Sequence, residues 1–232
     1  VGLIGLGNMG RGLGKNLIDA GFPLSVFDLD PKKVLELTGW GAADAGSIAG
    51  LAETAEMILT CLPGPPAVRA VYLDEDGLIA HTSAERLLID CTTSDPLLTR
   101  EIGTAARSRG IHMVDAPLMR TPKFAMEGNL QVIVGGDVED FARCQPVLQA
   151  FAKEVIHVGA LGDAHAMKVI NNGVGLGTQA LLCEAFNVAR LLDIDVAMLH
   201  RVMQGGMGAS RKLDDVALRI INDDHSISFA LD

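Results

Sequence analysis

The sequence predicts an α/β fold, a doubly wound, mostly parallel sheet followed by an all-α C-terminal domain, and three observations carry that prediction. Short apolar runs alternate with amphipathic stretches through the first half, the pattern of a parallel sheet wrapped by helices. A glycine-rich turn, Gly5-Leu6-Gly7-Asn8-Met9-Gly10, follows the first apolar run directly. From Gly162 onward the strand signal stops and the pattern is helical.

The elements follow in order. Residues 1–6, 24–27, 57–62 and 87–90 are apolar enough to read as buried strands separated by amphipathic segments, and 112–115, 131–135 and 154–158 read as further strands. Residues 164–192 contain no proline and mix alanine and leucine with regularly recurring polar residues, which predicts one long helix. Such a helix is too long for a crossover, so it opens a second domain. The expected division is residues 1–161 for the sheet domain and 162–232 for the helical one, with 196–203 and 212–221 as its next helices. Gly173, Gly175 and Gly177 lie inside the long helix rather than after a strand, so close packing against another helix is expected there. The chain starts inside a strand and stops at Asp232 without a stop signal, so both ends read as trimmed.

Composition narrows the function. With 232 residues, 49% hydrophobic and 21% charged, the chain buries a substantial core. The net charge of −10 repels phosphate backbones and excludes nucleic acid as a partner, and it obliges any anionic substrate to meet locally placed cations. No apolar run reaches the roughly 18 to 20 residues of a membrane span, and the N-terminus lacks a secretory pattern, so no membrane partner and a cytoplasmic location are expected. Cys61, Cys91, Cys144 and Cys183 are widely spread without metal-type spacing and are read as reduced core thiols. None of the six histidines falls in a ligand-spaced pair, so no metal site is expected.

Strand, turn and helix around Gly5, Gly7 and Gly10 satisfy G-x-G-x-x-G. The glycines serve a tight turn, close approach to a pyrophosphate and close packing of helix on strand, and the helix start offers free N–H groups to the phosphates. Asp28 follows the second strand and lies 18 residues after Gly10, where an acid takes the adenosine ribose hydroxyls and repels the extra phosphate of NADP. The expected cofactor is NAD on a Rossmann-type domain. Gly14-Lys15 does not complete a triphosphate loop, because Met9 and Asn16 occupy positions that motif needs.

Three separated motifs resemble the β-hydroxyacid dehydrogenase family, which includes 3-hydroxyisobutyrate dehydrogenase and tartronate semialdehyde reductase. Residues 5–17, GLGNMGRGLGKNL, resemble its cofactor loop; 115–128, DAPLMRTPKFAMEG, its substrate loop; and 162–172, GDAHAMKVINN, its catalytic helix. The resemblance runs through essentially the whole chain. It implies a Rossmann-like domain followed by an all-helical one, with the active site in the cleft between them. It also implies that Asn8 and Met9 contact the pyrophosphate, Leu62 and Pro63 the adjacent cofactor surface, and Thr93 the nicotinamide half. A homodimer or homotetramer through the helical domain is implied as well. The family further places a cofactor-site lysine shortly after an F-x-L-D-like segment; here residues 229–232 end the chain first.

Reducing an aldehyde needs a proton for the developing alkoxide, and the reverse reaction needs the same group as a base. Within the K-x-x-N-N match Lys168 is that candidate. Asn172 leaves the same helical face one turn later and orients substrate or lysine, while Asn171 points about 100 degrees away and is assigned to the substrate's acidic end. The family's usual Ser-Gly-Gly is replaced here by Met119-Arg120-Thr121. Arg120 adds a permanent charge and a donor fork for carboxylate, sulfonate or phosphate oxygens, so a strongly anionic substrate is expected on Arg120 and Thr121. This pair, with VFDLDP around Asp28, is similar to the branch containing 3-sulfolactaldehyde reductase and succinic semialdehyde-reducing activity. The competing role for Arg120 is a brace paired with an acid such as Glu127.

Other classes fit less well. The only tyrosine is Tyr72 and position 76 is aspartate, so the Y-x-x-x-K of short-chain dehydrogenases is absent. An imine reductase would share the cofactor loop but use a different proton donor, and a non-catalytic NAD-binding sensor would have no need of Lys168 and Asn172.

Overall fold

The computed structural model describes residues 1–226, so the expectation for residues 229–232 lies outside the described residues. The chain opens with β1 (Gly2–Ile4), α1 (Asn8–Asp19), β2 (Ser25–Phe27) and α2 (Pro31–Gly39). Asp30 caps α2 by accepting from the Lys32 amide, with Pro31 preset for the first turn. There follow β3 (Ala43–Asp44), α3 (Ile48–Thr54), β4 (Met57–Thr60), α4 (Pro65–Leu73), α5 (Leu78–His81) and β5 (Leu87–Asp90). Then come α6 (Pro96–Arg107), β6 (His112–Asp115), β7 (Leu118–Met119), α7 (Pro122–Met126), β8 (Leu130–Gly135), α8 (Val138–Gln149) and β9 (Ala152–Gly159). The chain continues as α9 (Asp163–Leu191), α10 (Val196–Gln204) and α11 (Arg211–Ile221).

The strands form one sheet in the order β3-β2-β1-β4-β5-β6-β8-β7, with β9 beside β8. Pairing is parallel from β3 to β6, antiparallel where β8 meets β6 and β7, and parallel again between β8 and β9. The predicted doubly wound, mostly parallel sheet is therefore the fold. All seven predicted strands are present. The two-residue β3 and β7 are additional, too short to leave a pattern and held in place by the neighbours they pair with.

Because helices cover both faces, successive strand residues are buried in opposite directions. Leu3 and Leu59 join Leu13, Leu17 and Phe151 on one side, whereas Ile4 and Ile58 join Leu51, Tyr72 and Ile102 on the other. The register aligns the strand ends. Phe27 and Thr60 both stand opposite Ile4, Thr60 opposite Asp90, and Asp90 opposite Asp115. The loops leaving this row carry the candidate site, as expected where parallel strands end beside the reversal of strand order between β1 and β4.

The chain forms two compact units, Val1–Val169 and Ile170–Asp232. The division falls after the start of the helical run at Gly162 because the first turns of α9 are tied to the sheet strand β6, as described below. In the second unit, Leu182, Phe186, Leu213, Val216 and Ala217 make a small core. Asp195 and Ser210 cap its helices α10 and α11 through the Met198 and Leu213 amides. Two expectations fail here. A Cβ placed at Gly173, Gly175 or Gly177 meets nothing within 4 Å, so no helix of the described residues packs closely on them. Cys183 is exposed rather than a core thiol, since it faces outward from α9; Cys91 and Cys144 are buried and Cys61 is partly so. Burial pushes the Cys61 and Cys144 thiols up to about 12, which leaves both unreactive near neutrality. No helix among the described residues is long and apolar enough to cross a membrane.

Candidate active site

The glycine turn shows three different reasons for three glycines. Gly5 has φ +89°, and a Cβ there would lie 2.3 Å from the Cys61 carbonyl oxygen. A Cβ at Gly10 would lie 1.9 Å from the Gly5 oxygen, so the start of α1 closes onto the strand only because Gly10 has none. Gly7 instead faces open space, with nothing within 4 Å of an added Cβ. It is also the N-cap of α1 and supplies no side-chain bond to the first turn. Asn8 and Met9, exposed and half-buried, follow directly. An open position beside uncapped helix N–H groups fits a bound pyrophosphate.

Asp28 does more than its position in the sequence suggests. Its Oδ2 accepts from the Leu6 amide at 2.7 Å, its Oδ1 from the Asp30 amide at 2.9 Å, and Lys33 Nζ lies 3.4 Å from Oδ1. The carboxylate therefore braces the glycine turn from the end of the neighbouring strand. Leu62 and Pro63 leave β4, and the Leu62 amide donates to Thr92 Oγ1 at 3.0 Å. Thr92 is in turn held by its own amide donating to Asp90 Oδ1 at 3.0 Å, and Thr93 beside it is exposed. Gly5, Gly7, Asp28, Leu62, Pro63 and Thr93 thus lie on loops leaving the C-terminal ends of β1, β2, β4 and β5, and Asn8, Met9 and Gly10 on the first turn of α1.

Lys168 lies in the same unit as this crest. It is 9% exposed, and its ammonium donates to the Leu118 carbonyl at 2.8 Å. Among the described residues no carboxylate lies within ion-pairing distance of it. Burial alone lowers its pKa from the ordinary 10.5. Its helix is anchored by Asp115, whose Oδ1 and Oδ2 accept from the Gly162 and His165 amides, each at 2.7 Å. Desolvation raises the Asp115 pKa in spite of these bonds and of the nearby His165 ring. Thr99 Oγ1 donates its one hydrogen to the Asp95 carbonyl at 3.0 Å, which leaves His165 Nδ1 as the donor in its 2.7 Å bond to Thr99. Asn171 and Asn172 follow Lys168 on α9, the first exposed and the second half-buried, and belong to the second unit.

Arg120 and Thr121 are exposed on the loop between β7 and α7. Arg120 has φ +82°, a conformation suited to the glycine that the family pattern places there, and strain of this kind costs about 1 kcal/mol or more. Its guanidinium donates to the Asn129 carbonyl at 3.1 Å and lies 5.1 Å from the Phe124 ring centroid. The partner is therefore Asn129 and Phe124 rather than Glu127. The sequence reading missed two functions: Asp115 as the anchor of the lysine helix and the Leu118 carbonyl as the lysine's acceptor. Asp115 was visible only as the first letter of a motif.

Comparisons with known proteins identify the family. Residues 1–159 match the family model described as the NAD binding domain of 6-phosphogluconate dehydrogenase. The chain is 37% identical over 214 residues to a 3-hydroxyisobutyrate dehydrogenase of Pseudomonas aeruginosa, covering 92% of this chain and 72% of that protein. It is 33% identical over 233 residues to a 3-sulfolactaldehyde reductase of Escherichia coli, covering 100% of this chain and 78% of that one. A solved 3-hydroxyisobutyrate dehydrogenase of Mycobacterium tuberculosis with L-serine superposes with a TM-score of 0.83 at 33% identity, over 91% of this chain and 72% of that one. The chain belongs to the β-hydroxyacid dehydrogenase family and is an NAD-dependent oxidoreductase of small hydroxyacids.

Proposed function

We propose that the protein interconverts a small anionic aldehyde and its hydroxyacid, with Lys168 as proton donor and acceptor and Arg120 and Thr121 holding the anionic end. The observation that carries this reading is a buried lysine ammonium with a carbonyl, and no carboxylate, as its partner. Such an ammonium is not stabilised by an opposing charge, so it parts with its proton more readily than a surface lysine. When bound, NADH supplies the hydride to the aldehyde carbon. Lys168 Nζ gives a proton to the carbonyl oxygen as the alkoxide develops, and in the oxidising direction the neutral amine removes it. Asn172, four residues on along α9, orients the substrate hydroxyl or the lysine, and Asn171 assists at the acidic end. Gly5, Gly7, Gly10, Asn8 and Met9 would hold the pyrophosphate, Asp28 the ribose, Leu62 and Pro63 the adjoining cofactor surface, and Thr93 the nicotinamide half.

Sulfolactaldehyde and succinic semialdehyde are the proposed substrates, supported by the Arg120 fork and by the activity named for the Escherichia coli relative. The Arg120 contacts to Asn129 and Phe124 favour a second reading, in which it braces the loop and the substrate is a plain hydroxyisobutyrate- or tartronate-type acid. Arg120→Ala separates the two. If the arginine reads the anion, KM for sulfolactaldehyde rises about tenfold or more, the worth of a lost charge-assisted bond, with NADH affinity retained. An unchanged KM for every anionic aldehyde leaves the brace.

Asp28 makes a second expectation. Its carboxylate should disfavour the additional phosphate of NADP, so Asp28→Ser is expected to narrow the preference for NADH over NADPH by about tenfold, from the removal of a like charge. NADH affinity falls as well, since the Leu6 amide loses its acceptor. Steady-state kinetics with the two dinucleotides checks both, and an unaltered ratio would remove Asp28 from cofactor selection. For the chain as an assembly, a homodimer or homotetramer is the proposed state, to be read by light scattering.

A further inference from the structure

The hairpin that follows Arg120 is seated on the dinucleotide helix by a side chain with no place in the scheme above. Asn16, two turns into α1, donates from Nδ2 to the Gly12 carbonyl of its own helix at 2.7 Å and to the Ala125 carbonyl of α7 at 2.8 Å. Both amide hydrogens are thereby used. The amide oxygen lies against the hairpin's exit, where a Cβ on Gly128 would come within 2.7 Å of it. One turn nearer the cofactor end, a Cβ on Gly12 would meet the Ala125 carbonyl carbon at 2.7 Å and the Met126 nitrogen at 2.8 Å. Ala125 is fully buried in this contact, and Arg11 Nη1 reaches Met126 Sδ at 3.8 Å. On its outer side the hairpin is closed by Arg120 on Asn129 and Phe124.

We propose that Asn16 is a positioning residue, a latch that fixes the 121–129 hairpin to α1 and so sets Arg120 and Thr121 relative to the cofactor turn. The inference rests on the reading of Arg120 and Thr121 as substrate residues. The glycine turn is held independently of α7, because the Gly5 amide donates to the Phe27 carbonyl at 3.0 Å and the Leu6 amide to Asp28 at 2.7 Å. Losing the latch therefore acts on the substrate side and spares dinucleotide binding. In Asn16→Ala the buried Ala125 carbonyl loses its side-chain donor. In Gly12→Ala the amide is intact and helix propensity improves, yet the added methyl drives α7 away from α1.

The test uses the full chain and three readouts for both variants: NADH affinity by fluorescence, KM and kcat for succinic semialdehyde, and the rate of tryptic cleavage after Arg120 and Lys123, both exposed on the hairpin. In each variant KM is expected to rise about tenfold with kcat within about threefold and NADH affinity within about twofold, from the lost hydrogen bond in Asn16→Ala and from the steric displacement of α7 in Gly12→Ala. Cleavage of the hairpin is expected to accelerate by about tenfold as its local opening becomes cheaper. Unchanged cleavage in both variants overturns the latch, and so does a parallel loss of NADH affinity, which marks a general weakening of α1. Faster cleavage with an unmoved KM for succinic semialdehyde keeps the latch and overturns instead the substrate role of Arg120 and Thr121.

Discussion

Lys168→Ala is expected to lower kcat for aldehyde reduction about a thousandfold, within the range that a positioned proton donor contributes, while NADH binds with nearly wild-type affinity. Lys168→Arg should lose as much, because a guanidinium keeps the charge and does not release its proton. The pH dependence gives the sign. Burial lowers the Lys168 pKa below 10.5, and reduction needs the ammonium form, so kcat for reduction falls as pH rises through that lowered value. Oxidation needs the neutral amine and rises over the same interval. Pre-steady-state NADH consumption with aldehyde and NADH formation with hydroxyacid and NAD, each across pH, test the two limbs, and a variant that keeps more than about a tenth of wild-type turnover would transfer the proton step to another group.

How much of this was legible in the sequence depends on how far the relevant contact reaches along the chain. Residues 87–90 were readable to the residue because a strand buried on both faces is a nearly continuous apolar run, here Leu87, Leu88 and Ile89 before Asp90. The glycine turn was readable because its three requirements are satisfied within six residues, and Asp28 because the intervening helix has a characteristic length. What Asp28 holds was not readable, since the Leu6 amide is brought to it by strand pairing. Lys168 was found only through resemblance; helical periodicity makes it one more polar residue on α9. Arg120 shows a different limit. Its charge is in the sequence, but its left-handed backbone and its partner Asn129 are properties of the folded loop. Cys183 and the glycines of α9 were misread because their helical pattern does not say which faces another element covers.

Asp115 is the case in which structure adds most, and its removal is the second large expected effect. Its two bonds span 47 and 50 residues and take the place of a local cap for the first turn of α9. Asp115→Ala should destabilise the first unit by about 3 kcal/mol, the cost of two buried amides left without acceptors. Because Lys168 begins only six residues after Gly162, the same change is expected to lower kcat more than it lowers NADH affinity. Asp115→Asn keeps one acceptor but turns an amide donor toward a second N–H, and it removes the charge. The folded-state pKa of Asp115 is raised by desolvation above the unfolded 3.8. The stability tied to its protonated form is therefore complete below that value and is lost as pH rises through the folded pKa. Wild type should lose stability relative to Asp115→Asn across that interval and run parallel to it above. Denaturant melts from about pH 3.5 to 7 measure the difference directly. A constant gap over the whole range would mean that the two amides stabilise the carboxylate enough to cancel its burial, and the anchor would then act as an ordinary charged cap.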